Sequence, residues 1–238
     1  MRNQFIKWPQ NPETLAQDFY EIAGIPSVVG AIDGCHILVS PPKEDEISFV
    51  NRHHTHSINV LCIAGPQRQI HYVNVNHGGR SHDSRVLQNS SVWQKFEVEG
   101  QLPYPGAVLI GDSGYPLRQW LIMPFSAPAD QAQQRFNLAH SKTRCIVEQT
   151  FGLLKNRFSC LKSGLRVKDM TLAGRLIIAC IVLHNLCILH GADEVEGEDG
   201  ADEENQPAGD VVQVENDARG NHRQLQLLAQ LQQHQRNI

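Results

Sequence analysis

Two apolar runs in this chain are each interrupted by a carboxylate, and that conflict constrains the fold more than any other feature. The run Val28-Val29-Gly30-Ala31-Ile32 continues through Gly34-Cys35-His36-Ile37-Leu38-Val39, with Asp33 in its middle. The run Ala107-Val108-Leu109-Ile110-Gly111 leads straight into Asp112. Both read as buried strands. An ionised carboxylate drawn out of water costs several kcal/mol unless a cation, a base or a proton answers it. A third acid, Glu148, lies on a helical pattern otherwise crowded with Arg and Lys. Three acids of this kind suggest an oxygen-ligand site for Mg²⁺ or Mn²⁺.

Side chains alternate along a strand, so Asp33 shares a face with Ala31, Cys35 and Ile37. Asp112 follows its strand directly and projects from the end. If the two strands are neighbours, the carboxylates approach and raise one another's pKa unless a divalent cation intervenes. On the helix, Arg144, Glu148, Gly152 and Lys155 recur at helical steps along one face, beside a stripe of Val147 and Phe151. Gly152 would let a substrate come close. Each acid taken singly also fits a cap, a turn or a salt bridge, and an Arg144–Glu148 helix pair is the plain alternative for the third.

The formal net charge of −4 conceals a segregation of sign. Residues 1–191 hold 18 Lys and Arg against 14 Asp and Glu, whereas residues 192–238 hold 3 against 11. Residues 135–175 carry nine basic side chains and two acids, Glu148 and Asp169. A basic excess around a carboxylate site suits a polyanionic substrate. The six cysteines are scattered without a C-x-x-C and read as reduced, buried thiols of an intracellular protein. No secretory pattern opens the chain, and the longest apolar run, Leu176 to Leu189, is short for a bilayer.

The pattern predicts a helix over 12–23, then strands over about 27–39, 57–64 and 69–76 that form an antiparallel meander. A helix starts at His82-Asp83-Ser84 and runs to about Gln88. A fourth strand covers 107–111, and Pro116 opens a short helix. A strong helix spans about 141–158. Asp169 caps a last large helix, about 170–190, apolar nearly all round and hence central. The chain divides into a catalytic-type α/β domain over 1–191, an acidic disordered linker over 192–218, and a short helix within 219–238 that forms by itself or only with a partner. Strands, helix, strand and helices in this order fit an RNase H-like α/β domain, a mixed sheet flanked by helices with a disordered acidic tail; the pattern alone leaves this as one of several α+β options, which the carboxylates narrow.

Four stretches are more specific than the acids alone. Gly30-Ala31-Ile32-Asp33-Gly34-Cys35-His36-Ile37, His82-Asp83-Ser84-Arg85-Val86-Leu87, Gly111-Asp112-Ser113-Gly114-Tyr115-Pro116-Leu117 and Val147 to Phe158 resemble the blocks of PIF/Harbinger transposases, in family order. The chain from about Phe5 to Leu189 resembles the nucleases derived from them. That resemblance implies an RNase H-like fold with an Asp-Asp-Glu triad of Asp33, Asp112 and Glu148 that binds Mg²⁺ or Mn²⁺, with two ions expected. Thirty-five residues between the second and third acids match the family's spacing. Asp83 lies in a family block as a fourth ligand or, preferred on its position, a helix cap. Cys35 replaces the usual Thr, His53 follows Asn51-Arg52 where Lys is usual, and Gly79-Arg80-Ser81 stands where Pro-Gly-Ser is common; none of these removes a triad acid.

The expected function is thus a metal-dependent DNA endonuclease domain acting by two-metal phosphodiester hydrolysis. Arg144, Lys155, Arg157, Lys162, Arg166 and Lys168 are its candidate phosphate contacts. The rival reading is a catalytically silent, domesticated transposase that binds DNA or a Myb-like partner. Only 32 residues precede Asp33, and the resemblance implies a helical DNA-binding region ahead of the core. The expectation is therefore a truncated chain or a Myb/SANT-like DNA-binding protein as partner. Homo-oligomers stay open, no membrane association is expected, and the nucleus is the expected location, with the cytoplasm second. His53-His54-Thr55-His56 reads as exposed loop histidines, and His184-Asn185 as a hydrogen-bonded core pair or as a support for Glu148.

Overall fold

A computed structural model describes residues 2–191 and 216–236. The expected disordered linker falls almost wholly outside these. The elements in chain order are α1 (Arg2–Phe5), α2 (Pro12–Ala23), β1 (Val28–Leu38), α3 (Glu46–Phe49), β2 (Ser57–Ala64) and β3 (Ile70–Gly78). Then come α4 (Asp83–Gln88), α5 (Ser91–Trp93) running into a π-helical turn at Gln94–Val98, β4 (Val108–Ile110) and β5 (Leu121–Ile122). Four helices follow: α6 (Gln131–Arg157), α7 (Ser159–Ser163), α8 (Met170–Leu189) and α9 (Ala218–Arg236).

The strands form one mixed sheet in the order β3-β2-β1-β4-β5. The first three pair antiparallel as a meander, and β4 and β5 add in parallel beyond β1. This is the RNase H-like arrangement. Alternation along the strands sends their apolar rows to two cores. One face of β1 joins Val28 and Ile32 with Leu61, Ile63, Leu109 and the helical residues Phe19, Val86 and Leu87. The other joins Ala31, Cys35 and Ile37 with Val60 and Cys62, under Val147, Phe151 and Leu154 of α6 and Ile177 and Ile181 of α8. Asp33 lies in this second row, opposite Cys62.

Local chemistry explains the long helices. Asp130 accepts a hydrogen bond from Gln133 N and so starts α6, and Asp169 accepts from Thr171 N and Leu172 N to start α8. The cap at Asp130 carries α6 ten residues further back than the apolar stripe predicts. Two expectations fail. No helix opens at Pro116, because the Leu117 and Arg118 backbone groups bond elsewhere: Leu117 N donates to Asn216 Oδ1, Leu117 O accepts from Asp217 N, and Arg118 pairs with Leu121. The short edge strand β5 follows instead. Nor is α8 central. It packs one face on β3, α1 and α6, and leaves Leu172, Leu183 and Leu189 45%, 49% and 66% exposed. The cysteines also depart from expectation, since only Cys35 and Cys62 are buried and Cys160 is exposed; none of the six is in a disulfide.

Candidate functional site

Parallel pairing of β1 with β4 builds the site. Ala31 pairs with Ile110, so Asp33 and Asp112 each lie two residues further along neighbouring strand directions. Asp33 is 3% exposed and accepts a hydrogen bond from Gly34 N at 2.8 Å. Asp112 stands past the end of β4, in a turn where Gly114 N donates to its carboxylate at 3.0 Å. Val147 and Phe151 anchor α6 on the same face as Asp33 and thereby aim the adjacent stripe at it. Arg144 Nη1 is 3.3 Å from Asp33 Oδ2, and Arg144 Nη2 is 2.6 Å from Glu148 Oε1. All three predicted acids therefore border one region, with Glu148 joined to Asp33 through a guanidinium.

Asp83 belongs to the same region. It is not the helix cap that its position suggests: His82 occupies the cap position of α4, and the Asp83 carboxylate turns inward. Asn59 Nδ2 donates to Asp83 Oδ1 at 2.7 Å and to Ser81 O at 2.9 Å. The carboxylate lies over Gly34, where any added Cβ would collide with it. The absence of a side chain at residue 34 is what lets a fourth acid approach Asp33.

The electrostatics follow from this crowding. Burial holds the Asp33 carboxyl well above the usual carboxylate range, Asp112 and Asp83 push it further, and Arg144 and the Gly34 amide pull it back. Burial raises Asp83, with the Asn59 hydrogen bond opposing. Burial also raises Asp112, Asp83 adds to it, and the Gly114 amide and Arg144 oppose. The Tyr115 phenol is fully buried and pushed up by burial and then by Asp83, Asp33 and Asp112. Among the described residues its hydroxyl has no hydrogen-bond partner, and neither has Asn59 Oδ1.

His140 of α6 braces this end of the sheet. Its Nε2 donates to Ile122 O at 3.1 Å, and its ring lies beside the Gly111 backbone, one residue before Asp112. Burial lowers its pKa to about 4, so it stays neutral. Tyr115 was legible only as part of a motif block. Asn59 had a signal, a lone amide in an apolar strand, whereas His140 had none.

The basic residues divide. Arg144 serves the acids. Arg157 is internal: His184 Nδ1 accepts from its Nη1 at 2.9 Å, which leaves His184 Nε2 to donate to Arg68 O. Lys155 is half-buried, and Lys162, Arg166 and Lys168 are exposed on α7 and the segment after it. His184 and Asn185 thus bond to backbone and to Arg157, not to Glu148. Of the loop histidines, His53 and His54 are exposed, while His56 pairs with Glu46 at 2.8 Å. A Cβ added at Gly152 would meet open space, so the α6 face beyond Glu148 is accessible.

The acids present the hard oxygen donors that Mg²⁺ or Mn²⁺ prefers, in a region where negative charge exceeds its compensation. Yet among the described residues no three His, Cys, Asp or Glu side chains already stand in metal-holding geometry.

Comparison with known proteins gives a consistent picture. The family model described as DDE superfamily endonuclease matches residues 32–185, a span that contains all four acids. The human protein named "Putative nuclease HARBI1" is 36% identical over 196 residues, which cover 80% of this chain and 55% of that protein. Its rat counterpart is 34% identical over 218 residues, covering 90% and 62%. The Arabidopsis thaliana "Protein ALP1-like" is 26% identical over 196 residues, covering 77% and 48%. The chain spans about half to three-fifths of the length of these curated relatives. No solved structure matches.

Proposed function

Since this chain belongs to the Harbinger-derived DDE superfamily endonucleases, we propose that it is a metal-dependent DNA endonuclease domain in which Asp33, Asp112 and Glu148 hold two Mg²⁺ or Mn²⁺ ions. The observation that carries this reading is the meeting of Asp33 and Asp112 at adjoining positions of parallel strands, with Asp83 and Glu148 drawn in around them. Bound there, the ions would supply Lewis acidity for activating water and stabilising the leaving oxygen of a phosphodiester. Two of the four orphaned polar atoms among the described residues, Tyr115 Oη and Asn59 Oδ1, belong to residues beside these acids and support the fit, because each is a buried group awaiting a hydrogen-bond partner.

The chain's own residues do the rest. Asp83, fixed by Asn59, adds negative charge beside Asp33 and serves as a fourth oxygen donor. Lys155, Lys162, Arg166 and Lys168 contact DNA phosphates, which positions the duplex without reading its sequence. Arg144 and Arg157 reach phosphate only by leaving their present partners. A Myb/SANT-like protein would supply sequence recognition, and the nucleus is the proposed location.

The test is nicking of supercoiled plasmid with Mg²⁺ or Mn²⁺. Wild-type protein is expected to cut, and Asp33→Ala, Asp112→Ala and Glu148→Gln are each expected to lose at least 100-fold, about 2.7 kcal/mol of barrier. Equal background from all four proteins would remove the nuclease reading and leave a binding module.

A further inference from the structure

Four acids border one region, yet no three of them converge on a point. Arg144 already occupies two of them. Sitting one helical turn before Glu148 on α6, it reaches Glu148 Oε1 with one terminal nitrogen and Asp33 Oδ2 with the other. A guanidinium is permanently charged, planar and forked, so it can bridge two carboxylates at once. The Asp33 and Arg144 side chains are 5% and 22% exposed, so water screens this pair weakly. A monovalent cation thus holds oxygens that a divalent ion would need.

We propose that Arg144 is a resident counter-ion that gates the metal centre: it neutralises Asp33 and Glu148 when metal is absent and must swing away for a divalent ion to bind. This rests on the metal-centre reading above. Guanidinium and ion compete for the same oxygens and repel each other, so each weakens the other's hold. The consequence has a sign opposite to that of an ordinary site residue. Removing Arg144 strengthens metal binding while it weakens the metal-free fold, because Asp33 and Glu148 lose their shared cation.

The experiment is calorimetric titration of Mn²⁺ into the full chain, as wild type, Arg144→Gln and Arg144→Lys, with thermal melts of each protein with and without Mn²⁺. Arg144→Gln is expected to bind Mn²⁺ at least tenfold more tightly, about 1.4 kcal/mol. Without metal it melts below wild type, and Mn²⁺ closes the gap. Arg144→Lys, whose single ammonium cannot fork between two carboxylates, falls between the two. Equal or weaker affinity in a folded Arg144→Gln overturns the gate and leaves the centre standing. Failure of wild type and variant alike to bind Mn²⁺ overturns both. Should Arg144→Gln not fold, Arg144→Lys decides, and wild-type affinity in it overturns the gate.

Discussion

Asp33 faces an environment that resists its ionisation on three sides: apolar neighbours in its row, Asp112 beside it, and Asp83 over Gly34. The raised carboxyl has a definite consequence for stability. The folded protein binds the Asp33 proton more tightly than the unfolded chain, whose pKa is about 3.9. Its contribution is therefore most favourable at acid pH and is lost as pH rises from about 4 through the raised folded value. Asp33→Asn keeps the shape and the oxygen that accepts from Gly34 N, but removes the charge. Metal-free Asp33→Asn should melt above wild type at pH 8, by about 2–4 °C for each kcal/mol relieved. The difference should shrink toward pH 4. Melting curves over that range check both sign and slope. A constant offset across the range would show that Asp33 does not carry this charge burden. Function and stability are then opposed at one residue, as they often are where sites are preorganised.

At the scale of elements, the fixed points are hydrogen bonds that join distant segments. Asn185 of α8 donates to Phe5 O and Ile70 O and accepts from Ile70 N, so one amide ties α8 to α1 and β3. Asn185→Ala leaves the Ile70 and Phe5 backbone groups without these partners in a buried place. The expected loss is about 2–4 kcal/mol, read as a lowered urea midpoint at unchanged slope. Such contacts also mark what the sequence can reveal. The helix over 12–23 and the strand over 57–64 have the boundaries their periodicity predicts, because local pattern and burial agree there. β5 has two residues, too few for any period, and exists only because β4 offers an edge and Leu117 is held elsewhere. The first ten residues of α6 bury Phe136 and Ala139 but carry no continuous apolar stripe, and their helix starts from the cap at Asp130. At the site, Asp33, Asp112 and Glu148 stand out as charges in the wrong company. Asp83 looked like a cap because its inward turn depends on Asn59 and on the room above Gly34, contacts 24 and 49 residues away in sequence.

For the whole molecule, the informative element is α9. Its sequence pattern leaves open whether it forms without a partner, and the structure seats it on the chain itself. Leu227, Leu228 and Leu231 are 0%, 9% and 2% exposed in the core beside β4, β5 and α6. Gln224 Nε2 donates to Met123 O, and Arg223 donates to Gly106 O, both at 2.7 Å. Just before the helix, Asn216 and Asp217 hold the Leu117 backbone, two residues past Tyr115 and five past Asp112. α9 therefore closes the β5 edge and fixes the far end of the segment that carries the second acid. Burying a leucine contributes about 1.5–3 kcal/mol, and part of that is offset by ordering the helix. Ending the chain after Gly191 should lower stability by ~3 kcal/mol or more, a large fraction of what a domain possesses. It should also weaken Mn²⁺ binding, because the Asp112 turn loses its tether. A synthetic peptide of residues 216–236 should restore both properties when added in excess, with the effective concentration of the tether replaced by free peptide. The same peptide carrying Leu227→Ala and Leu231→Ala should not. Unchanged melting and Mn²⁺ affinity after the cut would mean that α9 rests on this surface without supporting it.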